Sequence, residues 1–115
     1  MKTIIFEIAS LEDAFAQIID AAQAGMPEKE ARYSFPTVAD MARTLTPTRW
    51  GILQALTGAG PLGVRELARR VGRDVKGVHT DARALALCGV IDRTGDGKYV
   101  FPYEAVHVDF MLKAA

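Results

Sequence analysis

Two short amphipathic segments separated by a glycine, then a glycine-tipped hairpin, constrain this chain more than any other feature. After Gly63, residues Val64, Leu67, Ala68 and Val71 fall at i, i+3, i+4 and i+7, the spacing of one buried helical face. Gly72 ends that helix as the residue just past its last turn. Asp74 N-caps a further helix after a connection of about three residues, with Val75, Val78, Ala82 and Leu85 as its apolar side and Gly89 as its stop. Val90 and Ile91 begin a strand, Gly95-Asp96-Gly97 signals a hairpin turn, and Lys98 to Phe101 return. Two helices about a tight turn followed by such a hairpin predict a winged helix-turn-helix over residues 46–102. Thr46-Pro47 opens its first helix, because threonine caps and proline fits the first turn. Trp50, Ile52, Leu53 and Leu56 supply that helix's buried side, with Trp50 as core anchor.

The N-terminal part has a different pattern. Residues 3–8 (TIIFEI) are β-branched, aromatic and too few for a helix, so they predict a strand. Ser10 then caps a helix with Asp13 in the capping-box position. Leu11, Ala14, Phe15, Ile18, Ile19 and Ala22 make one apolar stripe, and Gly25 and Pro27 stop the helix. Residues 26–36 are polar with two prolines and predict a linker. Thr37 with Asp40 repeats the capping box before a short helix over about 38–45. Val106, Val108, Phe110 and Leu112 alternate with His107, Asp109 and Met111, the pattern of a half-buried closing strand. The expected fold is α+β, mainly α. Residues 1–36 carry strand, amphipathic helix and linker, and residues 37–115 carry the winged helix-turn-helix with its C-terminal strand.

Charge separates along the chain although the total is zero over 115 residues. Residues 1–40 hold three basic against seven acidic side chains, a balance of −4; residues 41–98 hold ten against five, a balance of +5. A basic middle between acidic ends suits one surface for a polyanion and another for a different partner. No apolar run is long enough to cross a bilayer, and Glu7 falls where a signal peptide would stay apolar, so a cytoplasmic protein without a membrane role is expected. Cys88 is the one cysteine, which excludes an intrachain disulfide.

The polyanion surface has named candidates. Lys76, His79, Thr80 and Arg83 sit at i, i+3, i+4 and i+7, away from the apolar side of their helix. Lys76 and Arg83 suit phosphates or guanine edges, and Thr80 suits a hydrogen bond or a thymine methyl. Gly77 beside them lets the backbone approach DNA closely. Arg93 and Lys98 flank the hairpin turn, within reach of backbone or minor groove. Arg65, Arg69, Arg70 and Arg73 lie on or just after the preceding helix and suit backbone phosphates.

The stretches LTPTRWGILQAL, GVRELARRVGRDVKGVHTDARALALCGVI and GKYVFPY, with the closing PYEAVHVDF, resemble the MarR-like winged helix-turn-helix regulators, and among them a group of small prokaryotic regulators. The resemblance covers about residues 34–112. It implies a two-fold dimer on a palindromic double-stranded DNA operator, with Lys76, Gly77, His79, Thr80 and Arg83 facing the groove and Arg93 and Lys98 on the wing. Some members look like antitoxins of toxin–antitoxin operons. The long terminal helices that build the dimer of full-length MarR proteins have no counterpart here.

A sequence-specific transcriptional regulator is therefore the first expectation. The alternative is an antitoxin that neutralises a cognate toxin by protein contact and binds DNA for autoregulation. The acidic N-terminal strand and helix serve either reading, as a homodimer contact or as a cover for a basic toxin. No P-loop, dinucleotide fingerprint, HExxH or GxSxG is present, so no enzyme and no cofactor are expected. His79, Cys88 and His107 lack metal-ligand spacing, so no metal is expected, and Cys88 is expected as a small buried hydrophobe. Tyr99, Phe101, Tyr103 and Phe110 are expected to pack.

Overall fold

The computed structural model describes residues 1–25, 31–112 and 114. Among them the fold is α+β, with five helices, a three-stranded parallel sheet and a small antiparallel pair. The chain divides into two compact units, residues 1–43 with 105–115, and residues 44–104. No helix among the described residues is long and apolar enough to cross a membrane.

In the first unit, β1 (Thr3–Ile8) lies between β2 (Ala31–Phe35) and β5 (Ala105–Asp109), both parallel to it. Parallel neighbours need a crossover. Between β1 and β2 that crossover contains α1 (Leu11–Gln23). The register aligns Phe6 with Tyr33 and Val108, and Glu7 with Ser34 and Asp109. Side chains alternate across a strand, so Ile4, Phe6, Tyr33 and Phe35 share one face. The fully buried Phe6 ring meets Tyr33 and Phe35 edge-on at 6.2 and 6.0 Å. On the other face Glu7 accepts from Arg32 at 2.9 Å and from Ser34 at 3.0 Å.

The linker expected at 26–36 is thus corrected. Residues 31–35 form β2, because Ala31, Tyr33 and Phe35 alternate with Arg32 and Ser34, and these two find a common acceptor in Glu7. Residues 26–30, including the Pro27 stop, lie outside the described residues. The closing strand ends at Asp109, and its partner is β1 rather than any part of the helical unit. Val108, Phe110 and Leu112 are exposed rather than half-buried.

Capping behaves as the sequence indicates. Ser10 accepts the Asp13 N–H at 3.1 Å and starts α1. Thr37 accepts the Asp40 N–H at 3.0 Å and starts α2 (Val38–Thr44). No α1 residue is buried, and Leu11, Phe15, Ile18 and Ile19 are 53–69% exposed. Its apolar stripe exists and is open.

In the second unit, Thr46 and Pro47 open α3 (Pro47–Leu56), α4 spans Val64–Val71 and α5 spans Val75–Leu87. Gly72 takes φ 70°, a left-handed conformation that ends α4 and turns the chain toward Asp74. Ile52, Leu53 and Leu56 of α3, Leu67 and Ala68 of α4, and Val78, Ala82 and Leu85 of α5 are buried, with Val90, Ile91, Tyr99 and Phe101 beyond them. Each fully buried large side chain contributes about 1.5–3 kcal/mol relative to exposure. The pair β3 (Asp92–Arg93) and β4 (Tyr99–Val100) follows. Leu62 exchanges two 2.8 Å backbone hydrogen bonds with Tyr99, tying the pair back to the connection before α4.

Four local expectations change. Trp50 is half-buried, and Ile52, Leu53 and Leu56 anchor α3 instead. Val75 stands exposed in the first turn of α5. Val90 and Ile91 are core residues that precede the strand rather than begin it. Cys88 is exposed, and its thiol donates back to the Leu85 carbonyl at 3.4 Å.

Candidate nucleic-acid interface

Asp74 starts α5 by accepting the Gly77 N–H at 3.0 Å. Val78, Ala82 and Leu85 then fix which way the helix faces. Lys76, His79, Thr80 and Arg83 are all exposed on the opposite side. The Thr80 hydroxyl donates to the Lys76 carbonyl at 3.0 Å, so outward it offers oxygen lone pairs and a methyl group.

The structure sorts the arginines into free and held. Among the described residues, no carboxylate lies at ion-pair distance from Arg65, Lys76 or Arg83, and all three are exposed. Arg69 and Arg70 both donate to Glu66, at 2.5–3.0 Å. Those hydrogen bonds, Arg69's first, hold the Glu66 carboxyl below its ordinary value. Both pairs are open to solvent, which screens them. Arg73 is different. It is half-buried and donates to Asp81 at 2.9 Å, so it braces the fold where a phosphate grip was expected.

Asp81 had no place in the sequence-based site. It also accepts from Arg49 Nε at 3.1 Å and from Thr48 at 3.3 Å. One carboxylate therefore joins the start of α3, the α4–α5 turn and the middle of α5. Its signal in the sequence is an acid interrupting the basic stretch Arg73 to Arg83. Burial pushes its carboxyl up, but hydrogen bonds and charge from Arg49 and Arg73 outweigh that and hold it below its ordinary value.

Gly77 acquires a packing role. A Cβ there would lie 3.0 Å from Asp74 Oδ1 and 3.2 Å from Arg73 Nη2, so the missing side chain leaves room for the cap and for the Arg73 guanidinium.

The hairpin closes through Thr94, which donates its N–H to the Lys98 carbonyl at 2.8 Å, and through Gly97 at φ 83°. Lys98 Nζ lies 3.9 Å from Asp96. The Arg93 guanidinium stands 5.7 Å from the centre of the Tyr99 ring. Helix and hairpin come together where Arg83, Ala86 and Leu87 face Arg93 and Tyr99 across a cleft. Among the described residues, no group of three or more His, Cys, Asp or Glu side chains is placed to hold a metal ion.

Residues 44–108, more than half of the chain, match the model of a family described as HVO_A0114. No curated protein matches. A solved structure described as "The structure of LepI complex with SAM" is similar, with a TM-score of 0.44 and 17% identity over 81% of this chain. The match spans 25% of that longer chain, and a likeness so distant transfers nothing.

Proposed function

We propose that this chain, which belongs to the HVO_A0114 family, is a double-stranded DNA-binding transcriptional regulator. In this reading α4, its turn and α5 are a helix-turn-helix and β3–β4 is the wing, as in the MarR-like regulators. The supporting observation is that Lys76, His79, Thr80 and Arg83 are all exposed on one side of a helix whose other side is buried. Such a helix enters the major groove, with Arg83 and Lys76 on guanine edges or phosphates. Arg93 and Lys98 contact the backbone or minor groove beside it, and Arg65 adds a phosphate contact. Gly77 permits the cap that starts the reading helix, and Arg73 holds that helix in place. The role is binding rather than catalysis, in the cytoplasm.

The operator is palindromic and the protein a homodimer, with the exposed stripe of α1 on the second copy. Parallel sheets are normally covered on both faces, and a helix with no buried residue leaves that cover incomplete. A second reading is antitoxin action. It is supported by the charge of α1, where Glu12, Asp13 and Asp20 are the charged residues and all are acidic. A basic toxin fits that helix.

Fluorescence anisotropy with the protein's own promoter fragment tests the DNA reading. Binding should weaken steeply with salt as phosphate contacts release counterions. Absence of salt-sensitive binding at low ionic strength overturns it.

A further inference from the structure

We infer that β5 pairs antiparallel with β5 of a second copy, joining two three-stranded sheets into one of six strands about a two-fold axis. This contact rests on the homodimer reading and gives it a place and a register.

β5 has β1 on one side and, among the described residues, no strand on the other. The N–H and C=O groups along such an edge are a template for another strand, and edges that stay single are blunted by proline, charge or shortness. The opposite edge, β2, ends in the buried Phe35 and is followed at once by Pro36. The β5 edge instead runs on into apolar residues, with Val108, Phe110, Met111 and Leu112 at 40–83% exposure.

A second copy is the occupant that this edge fits, because its sequence complements itself. Side chains alternate, so Val106 and Val108 stand beside Ile4 and Phe6 on one face, and His107 and Asp109 beside Ile5 and Glu7 on the other. Both faces continue across the joint when the axis passes through a residue. An axis through Asp109 sets two carboxylates directly opposite each other, which is destabilising. One through His107 sets Phe110 against Glu104, and one through Val106 sets Val108 against Glu104. An axis through Val108 avoids all of these. Each His107 then faces Asp109 of the second copy, with an imidazole N–H to donate to the carboxylate. Each Phe110 faces Val106 of the second copy, an aromatic on a β-branched residue, and each Met111 faces the small Ala105. Opposite-charge and aromatic–aliphatic pairs are the cross-strand contacts that stabilise sheets. A single strand pair is a small contact beside the roughly 1,200–2,000 Å² of a stable dimer, so the open stripe of α1 remains a second contact of the same dimer.

Disulfide cross-linking in the full chain reads the register. A Cys88→Ser background removes the exposed native thiol. Within it, Val108→Cys, at an exposed position, puts two cysteines opposite each other across the axis. Their Cα atoms are then about 4.5–5.5 Å apart, inside the range of about 4.4–6.8 Å that a disulfide spans. Oxidised glutathione should convert Val108→Cys to a covalent dimer on a non-reducing gel. Met111→Cys, at a more exposed position, should stay single, because its two copies lie about 20 Å apart along the paired strands. Sedimentation equilibrium of the unaltered chain accompanies the gel. A dimer in which Val108→Cys fails to cross-link overturns the β5 pairing and leaves the homodimer reading standing. Met111→Cys cross-linking as readily as Val108→Cys also overturns it, since the thiols would then meet by chance or in another register. A monomer removes the homodimer reading and the β5 pairing together, and leaves the edge to a strand of another protein.

Discussion

Arg73, in the turn between α4 and α5, donates to the Asp81 carboxylate of α5 at 2.9 Å, while Arg49 of α3 reaches the same carboxylate at 3.1 Å. A single acid thus sets the angle at which the exposed stripe of α5 is presented. Asp81→Ala leaves two partly buried guanidiniums without their partner. It should cost about 2–3 kcal/mol, because hydrogen bonds to charged groups are the strong ones and an abandoned charge carries the penalty. Urea denaturation followed by circular dichroism measures this as a lower midpoint at unchanged slope. A midpoint equal to wild type would show that the three elements hold without it.

The same pair gives the fold an acid limit. Asp81 has a folded-state value below its ordinary one. Its contribution is therefore complete above the unfolded value of about 3.9 and is lost as the pH falls through the folded value. The stability difference between wild type and Asp81→Asn should be constant between about pH 5 and 7, and should shrink below about pH 4. Urea titrations at neutral and acid pH check it. A difference that stays constant into acid would mean the carboxylate is not held by its arginines.

The arginines should separate in DNA binding as they do in the structure. Arg83→Ala should cost about 1–3 kcal/mol and relax sequence preference if Arg83 reads a base edge. Arg65→Ala should weaken all sequences alike and lower the salt slope by about one. Arg69→Ala should do less, because Glu66 competes for that guanidinium. Anisotropy across a salt series with specific and scrambled duplexes distinguishes the three. Equal losses for Arg65, Arg69 and Arg83 would put every arginine on the backbone and remove base reading by α5.

Local features were the legible ones. Ser10, Thr37, Thr46 and Asp74 each begin a helix by accepting a backbone N–H three residues on, and such a contact is written in consecutive residues. Gly72 is legible for the same reason. β2 also left a local signal, the alternation of Ala31, Tyr33 and Phe35 with Arg32 and Ser34, but Pro27, Pro36 and the charges around it read more strongly as a linker. Pairing partners were not legible. Nothing near residue 105 says that β5 will lie beside β1. The candidate site divides the same way. Its exposed stripe follows from helical periodicity, whereas the capture of Arg73 by Asp81 depends on how the α4–α5 turn folds back on α5, and the Arg49 bond to the same acid on how α3 meets α5.

The open stripe of α1 gives the test of assembly. Truncating residues 1–25 would remove β1, the middle strand of the sheet, and so would confuse assembly with folding. A point change avoids this. Ile18 is 53% exposed and belongs to no buried cluster, so Ile18→Glu should leave the circular dichroism spectrum unchanged. A stable dimer buries about 1,200–2,000 Å² in total, with apolar side chains at its centre. A carboxylate placed there is desolvated without a partner, and Ile18→Glu should turn a dimer into a monomer in sedimentation equilibrium. The same variant should bind one half-site with little change and lose the gain from a palindrome. If Ile18→Glu stays dimeric, the second copy sits elsewhere, and the stripe with Glu12, Asp13 and Asp20 is left for the basic partner of the antitoxin reading.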